Sequence, residues 1–185
     1  MSTSLPSFLP RIANLGRGLE VRIEEYYDDL EVPATIHLSD IVDALEMQFD
    51  ESPSYLDLDG GQVVTVSEDL LREAEEPGDE EAALPDWQKD EWKIAKRIVS
   101  TDRFRPLPTK FDVHEWGIME DFSRSVGSES IRDDLLRAIH GAGAFRNFKD
   151  TVRRLGIESA WFAFRAEALR RIALDWCEEN QIAWE

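Results

Sequence analysis

The stretch HGAGAFRNFKD, residues 140–150, sets two glycines one position apart ahead of a segment carrying Arg146, Lys149 and, one turn on, Arg153. Gly141 and Gly143 can take backbone angles that aim successive N–H groups at one point. A helix starting there adds its dipole, so the pattern fits an anion such as a phosphate. The same glycines also make a sharp corner between two helices, and Phe145, Phe148, Val152 and Leu155 at helical spacing explain the second helix by core packing alone. The corner is the simpler expectation. An anion site additionally requires Arg146 and Lys149 to lack carboxylate partners.

Other chemistry-bearing residues fit no catalytic or metal-binding template. HEWGIMED opens like a zinc-protease helix, but the position four after His114 is Ile118. His37, His114 and His140 are scattered, and the single cysteine, Cys177, lies beside Trp176 in an apolar run where a buried thiol is the ordinary outcome. No metal set, catalytic group or cofactor is therefore expected. Asp57 and Asp59, alternate residues of one strand, share a face that could hold a divalent cation. With Glu68 and Asp69 they read more simply as an acidic surface. From Arg146 to Arg171 there are seven basic residues against Asp150, Glu158 and Glu167. That run suits a nucleic-acid face, an internal complement to acidic segments, or ordinary solvated helix faces.

The elements that must position these groups are embedded in a strongly polarised chain of 185 residues with a formal charge of −18. Residues 1–85 hold 4 Lys and Arg against 21 Asp and Glu, and residues 86–185 hold 17 against 18. An acidic half of that density repels nucleic acid and anionic membrane and favours basic partners, besides keeping a protein soluble. No apolar run reaches the roughly 18 residues of a membrane span, the N-terminus lacks a secretory pattern, and one cysteine forms no internal disulfide. The cytoplasm is the expected compartment.

Apolar spacing predicts a helix over 19–30, ended by Pro33, and another in LSDIVDALEMQF, N-capped by Ser39, with Ile41, Val42, Leu45 and Phe49 on one face. In SPSYLDLDGGQVVTVSE two alternating runs flank Asp59, Gly60 and Gly61, which supply the positive-φ positions of a hairpin turn. A short helix EDLLREAEE leads into the linker-like PGDEEAALP. Beyond Asp86 the pattern is helical. Trp87, Glu91, Ile94 and Ile98 share a face, the prolines of RFRPLPTK break the chain, and helices follow over 111–126, 129–140, 144–155 and 158–180. Gly156 is the stop of the fourth. The fold class is α+β: a helix and β-hairpin packed on a C-terminal bundle of four to five helices. The domain organisation expected is an extension over 1–35 and one domain over 36–185, made of an acidic part (36–76), a linker (77–85) and a helical part (86–185).

The hairpin YLDLDGGQVVTVSE, the segment PLPTKFDVHEWGIMEDF, the block GAFRNFKD and the tail WFAFRAEALRRIALDWCEENQIAW together resemble uncharacterised protein family 0158, a bacterial family, over residues 36–184. The resemblance implies a small α+β cytoplasmic domain and brings no activity with it. Ala142 and Asn147 stand where arginines are common in that family's central block, which weakens an anion site in this chain. The functional expectation is a non-catalytic regulatory or adaptor protein that engages a basic protein through an acidic surface. The alternatives are a phosphate- or nucleotide-binding enzyme using Gly141, Gly143, Arg146 and Lys149, and nucleic-acid binding through the helices from Arg146 to Arg171.

Overall fold

The structure is a computed structural model that describes residues 34–76 and 84–185. The expected helix over 19–30 and most of the linker lie outside them. The described elements run α1 (Leu38–Glu46), β1 (Ser54–Asp57), β2 (Val63–Thr65), α2 (Glu68–Glu75), α3 (Asp86–Ser100), β3 (Phe104–Pro106), α4 (Lys110–Val113), α5 (Glu115–Ser125), α6 (Glu129–Ala138), α7 (Ala144–Arg154) and α8 (Glu158–Glu179). The class is α+β, a small antiparallel sheet with a helical bundle.

The hairpin forms in the register Ser54–Thr65, Tyr55–Val64 and Leu56–Val63. Its turn differs from the expected one: of Asp59, Gly60 and Gly61, only Gly61 has a positive φ, +69°. The Asp57 carboxylate supplies the rest by accepting from the N–H groups of Asp59 and Gly60, both at 3.1 Å, an Asx turn that satisfies two loop donors. Gly61 is required for a second reason, since a Cβ there would lie 2.6 Å from the Thr35 carbonyl oxygen.

A third strand was not expected. Phe104–Pro106 lies in the proline-rich run read as a chain break, yet it pairs with β1 and makes the order β2-β1-β3. Leu58 N–H donates to Arg103 and Leu107 N–H to Ser54. The inward-bonding residues are therefore 103, 105 and 107, and the missing N–H of Pro106 falls on the open outer edge, where a strand tolerates proline.

The sheet has an apolar layer on each side. Leu56 joins the main core with Ile41 and Leu45 of α1 and the buried residues of the bundle. The other face, bearing Tyr55 and Asp57, meets the α2–α3 pair, whose own cluster of Leu70, Ala74, Trp92 and Ala95 closes around Val66. The α3 stripe is thus centred on Trp92 and Ala95, one residue round from the expected one, with Ile94 and Ile98 partly buried beside it and Trp87 75% exposed. Phe49 likewise lies past α1, exposed rather than on its buried face. His37, not Ser39, is the α1 N-cap.

In the bundle, Phe148 and Trp161 meet edge to face at 4.8 Å, and Phe122 packs on both. This aromatic knot joins α5, α7 and α8. The helix expected over 111–126 is broken: a capping box between Thr109 and Asp112 starts α4, and His114 takes the left-handed conformation (φ +48°) before α5 begins. Gly117 leaves room for the imidazole, since a Cβ would stand 2.7 Å from His114 Nδ1. The helix after Gly143 ends as expected at Gly156 (φ +67°), where Ile157 N–H donates to Val152 and Gly156 N–H to Arg153. Its apolar stripe is shorter than expected, because Phe145 is 49% exposed. The chain end closes on the start of the unit: Leu38 N–H donates to Glu185 and Glu185 N–H to Ile36.

Candidate functional site

The four expected acidic-surface residues divide into two pairs. Asp57 is buried, and its carboxylate accepts from Arg103 Nε and Nη2 at 3.1 and 2.8 Å, with Arg97 Nη2 at 3.4 Å. Asp59 reaches the same guanidinium at 3.3 Å. Both are thus engaged by arginine, Asp57 from a buried position and Asp59 from the exposed surface. Burial acts to raise the Asp57 pKa, but the Arg103 hydrogen bonds, the Gly60 and Asp59 N–H groups and the Arg103 charge outweigh it and hold the carboxyl below its ordinary value. Arg97 and Arg103 also sit over the Phe104 ring, each 5.4 Å from its centroid. The cluster ties α3 to β1 and β3. Nothing in the alternating pattern of the hairpin marks Arg97 or Arg103 as its partners, because they come from 40 and 46 residues away.

Glu68 and Asp69 stand exposed at the start of α2. Asp69 pairs with Arg72 at 3.0 Å. Glu68 and Glu75 have no ion-pair partner among the described residues, and both border a groove across the end of the sheet where β1 begins. One part, a cavity of about 130 Å³, is lined by Phe49, Asp50, Pro53, Glu68, Pro108 and Phe111 among others. The adjoining part, about 600 Å³, runs past Tyr55, Glu68, Leu71, Glu75, Ile98 and Val99. The two share Pro53, Ser54, Glu68, Leu107 and Thr109, so they form one continuous depression. Local chemistry explains its walls. Pro108 and the capped α4 turn project Phe111 into solvent at 81% exposure, and Phe49, just after α1, is 64% exposed. The Gln48 amide donates to the Pro108 carbonyl and joins these two walls. Burial, then the negative charges of Glu68 and Glu75, raise the Tyr55 phenol pKa, which places both carboxylates' fields on the groove wall.

The glycine corner is as sharp as the sequence implies, with φ of +82° at Gly141 and +77° at Gly143, the N-cap of α7. Arg146 and Lys149 are exposed and have no ion pair among the described residues. Arg153 does pair, with Glu158 at 3.4 Å. The concavity beside the corner is lined by Asn147, Asp150 and Arg154 of α7 with Asp134 and Arg137 of α6, so it presents two carboxylates as well as two arginines. Arg154 and Arg137 both reach Asp134. Arg165 instead acts within the fold, donating to Glu115 at 2.7 Å and lying 3.6 Å from Glu46. The basic run therefore divides between internal partners and solvent.

Among the described residues no three His, Cys, Asp or Glu side chains gather as metal ligands do. Cys177 is fully buried, and burial raises its thiol pKa. No helix of the described residues is long and apolar enough to cross a membrane.

Comparison with known proteins agrees with the blocks that carry the resemblance. No solved structure gives a significant match. A UPF0158 protein of Pseudomonas aeruginosa is 30% identical over 151 residues, covering 81% of this chain and 86% of that protein. The pattern of the uncharacterised protein family UPF0158 matches residues 31–185. The chain belongs to that family.

Proposed function

We propose that the protein is a non-catalytic regulatory or adaptor protein that binds a basic region of another protein through the acidic face at α2. The observation that carries this reading is the pair Glu68 and Glu75, carboxylates without ion-pair partners among the described residues and both lining one groove. Elsewhere in the acidic half, Glu46, Asp50, Asp57 and Asp59 are taken up by Arg165, Lys110, Arg97 and Arg103. Asp40, Asp43, Glu51 and Glu73 also lack an ion pair among the described residues, but of these open acids Glu68 and Glu75 are the two that line the groove. Fluorescence anisotropy of a labelled oligolysine peptide against ionic strength tests the reading. Binding should weaken steeply between about 0.02 and 0.3 M salt, as the Debye length contracts, and should be lost in Glu68→Lys/Glu75→Lys. Binding indifferent to both salt and charge reversal would refute it.

A second reading rests on Arg146 and Lys149, whose lack of carboxylate partners leaves two cations beside the uncapped N-terminus of α7. It is that of a phosphate- or nucleotide-binding protein. Thermal melts with inorganic phosphate and nucleotides test it: a midpoint that rises with the logarithm of ligand concentration supports it, and a constant midpoint at millimolar ligand removes it.

A further inference from the structure

We infer that the groove between α1, α2 and α4 is a docking site for a peptide segment of a partner protein that combines one large apolar side chain with lysine or arginine. This deepens the acidic-face reading and rests on it. The groove has an aromatic part and an acidic part, with Glu68 lining both. In the first, the exposed rings of Phe49 and Phe111 stand beside Pro53 and Pro108, apolar surface that water covers at a cost. In the other, Glu68 and Glu75 share the lining with Tyr55, Leu71, Arg72 and Ile98. A ligand that is only cationic leaves the aromatic part wet, and one that is only apolar leaves the carboxylates without counter-charge. A segment bearing both matches the whole length.

Charge decides between this occupant and the others. Of the cations that line the groove, Lys110 is held by Asp50 and Arg72 by Asp69, so the uncompensated charges a phosphate backbone or anionic lipid surface would face are those of Glu68 and Glu75. A second copy of this chain would bring a further −18. A basic, apolar-anchored segment is attracted by the same groups. The Phe111 ring is the natural anchor contact because it is the most exposed large apolar side chain among the described residues.

The test uses the full chain and three labelled ten-residue peptides: one with a phenylalanine and two lysines, one with that phenylalanine replaced by alanine, and one with both lysines replaced by glutamate. The first should bind about tenfold more tightly than the second, the gain expected from burying part of one aromatic side chain. The glutamate peptide should not bind. Phe111→Ala, at a position too exposed to affect folding, should erase the difference between the first two, and Glu68→Gln/Glu75→Gln should weaken both. Equal binding of the first two peptides, unchanged by Phe111→Ala, would overturn the groove proposal while leaving the acidic-face reading intact. Failure of both lysine peptides to bind would overturn both. Self-association in sedimentation that Phe111→Ala abolishes would assign the groove to a second copy and overturn the peptide occupant.

Discussion

Replacing Asp57 by alanine removes, in one step, the acceptor for the Asp59 and Gly60 N–H groups and the carboxylate that holds Arg103 and Arg97. Removing one partner of a buried ion pair costs about 3–5 kcal/mol. The lower end applies here, because the Arg103 side chain is 28% exposed and regains water when freed. At about 2–4 °C of midpoint per kcal/mol for a domain of this size, the melt should fall by about 6–12 °C. Circular dichroism at pH 7 measures it, and Arg103→Ala with the double variant completes a mutant cycle, whose losses should be well short of additive. The dependence on pH has a definite sign. Asp57 is held below its ordinary pKa in the fold, so its contribution is complete above the unfolded carboxylate value of about 3.9 and is lost as pH falls through the folded value. The alanine variant should thus lose less stability on acidification than the parent. A midpoint shift under about 2 °C, the size of an ordinary surface change, or additive losses in the cycle, would refute the account of Asp57 as the anchor between the hairpin turn and α3.

Gly61→Ala should destabilise by about 2 kcal/mol or more, as left-handed backbone strain adds to the overlap with the Thr35 carbonyl. Gly141→Ala, with open space around its Cβ position, should cost only about 1 kcal/mol, and urea titration separates the two. Phe148→Ala empties a fully buried site against Trp161 and should cost about 3–5 kcal/mol, whereas half-exposed Phe145→Ala should stay within about 1 kcal/mol by the same titration. Cys177 should react with a thiol reagent at pH 8 at least about 100-fold more slowly in the native protein than in urea, because burial both hides the thiol and disfavours the thiolate. Rapid native labelling would show that the C-terminal half of α8 opens readily.

Local chemistry made much of the architecture readable. Period-two alternation around DGG specifies a hairpin wherever it occurs, and Gly156 ends a helix through its own backbone freedom, so both appear in the structure as the residues imply. Family membership follows from ordered blocks of sequence and needs no coordinates. Features that depend on remote partners were not readable. Phe104–Pro106 is a strand because β1 has an unpaired edge beside it, not because FRP favours extension. Phe145 and Phe148 have the same side chain three residues apart, and only the position of Trp161 makes one of them core.

The functional groups follow the same division. The sequence alone determined that the first half is acidic and that a glycine corner precedes Arg146 and Lys149, since charge and backbone freedom belong to individual residues. Tertiary structure decided which acids are engaged and which are open. Asp57 and Glu68 are equivalent as sequence, yet one is buried against an arginine 46 residues away and the other borders a groove. A carboxylate's role is set by the charges and dielectric around it, and those are supplied by whatever the fold packs beside it.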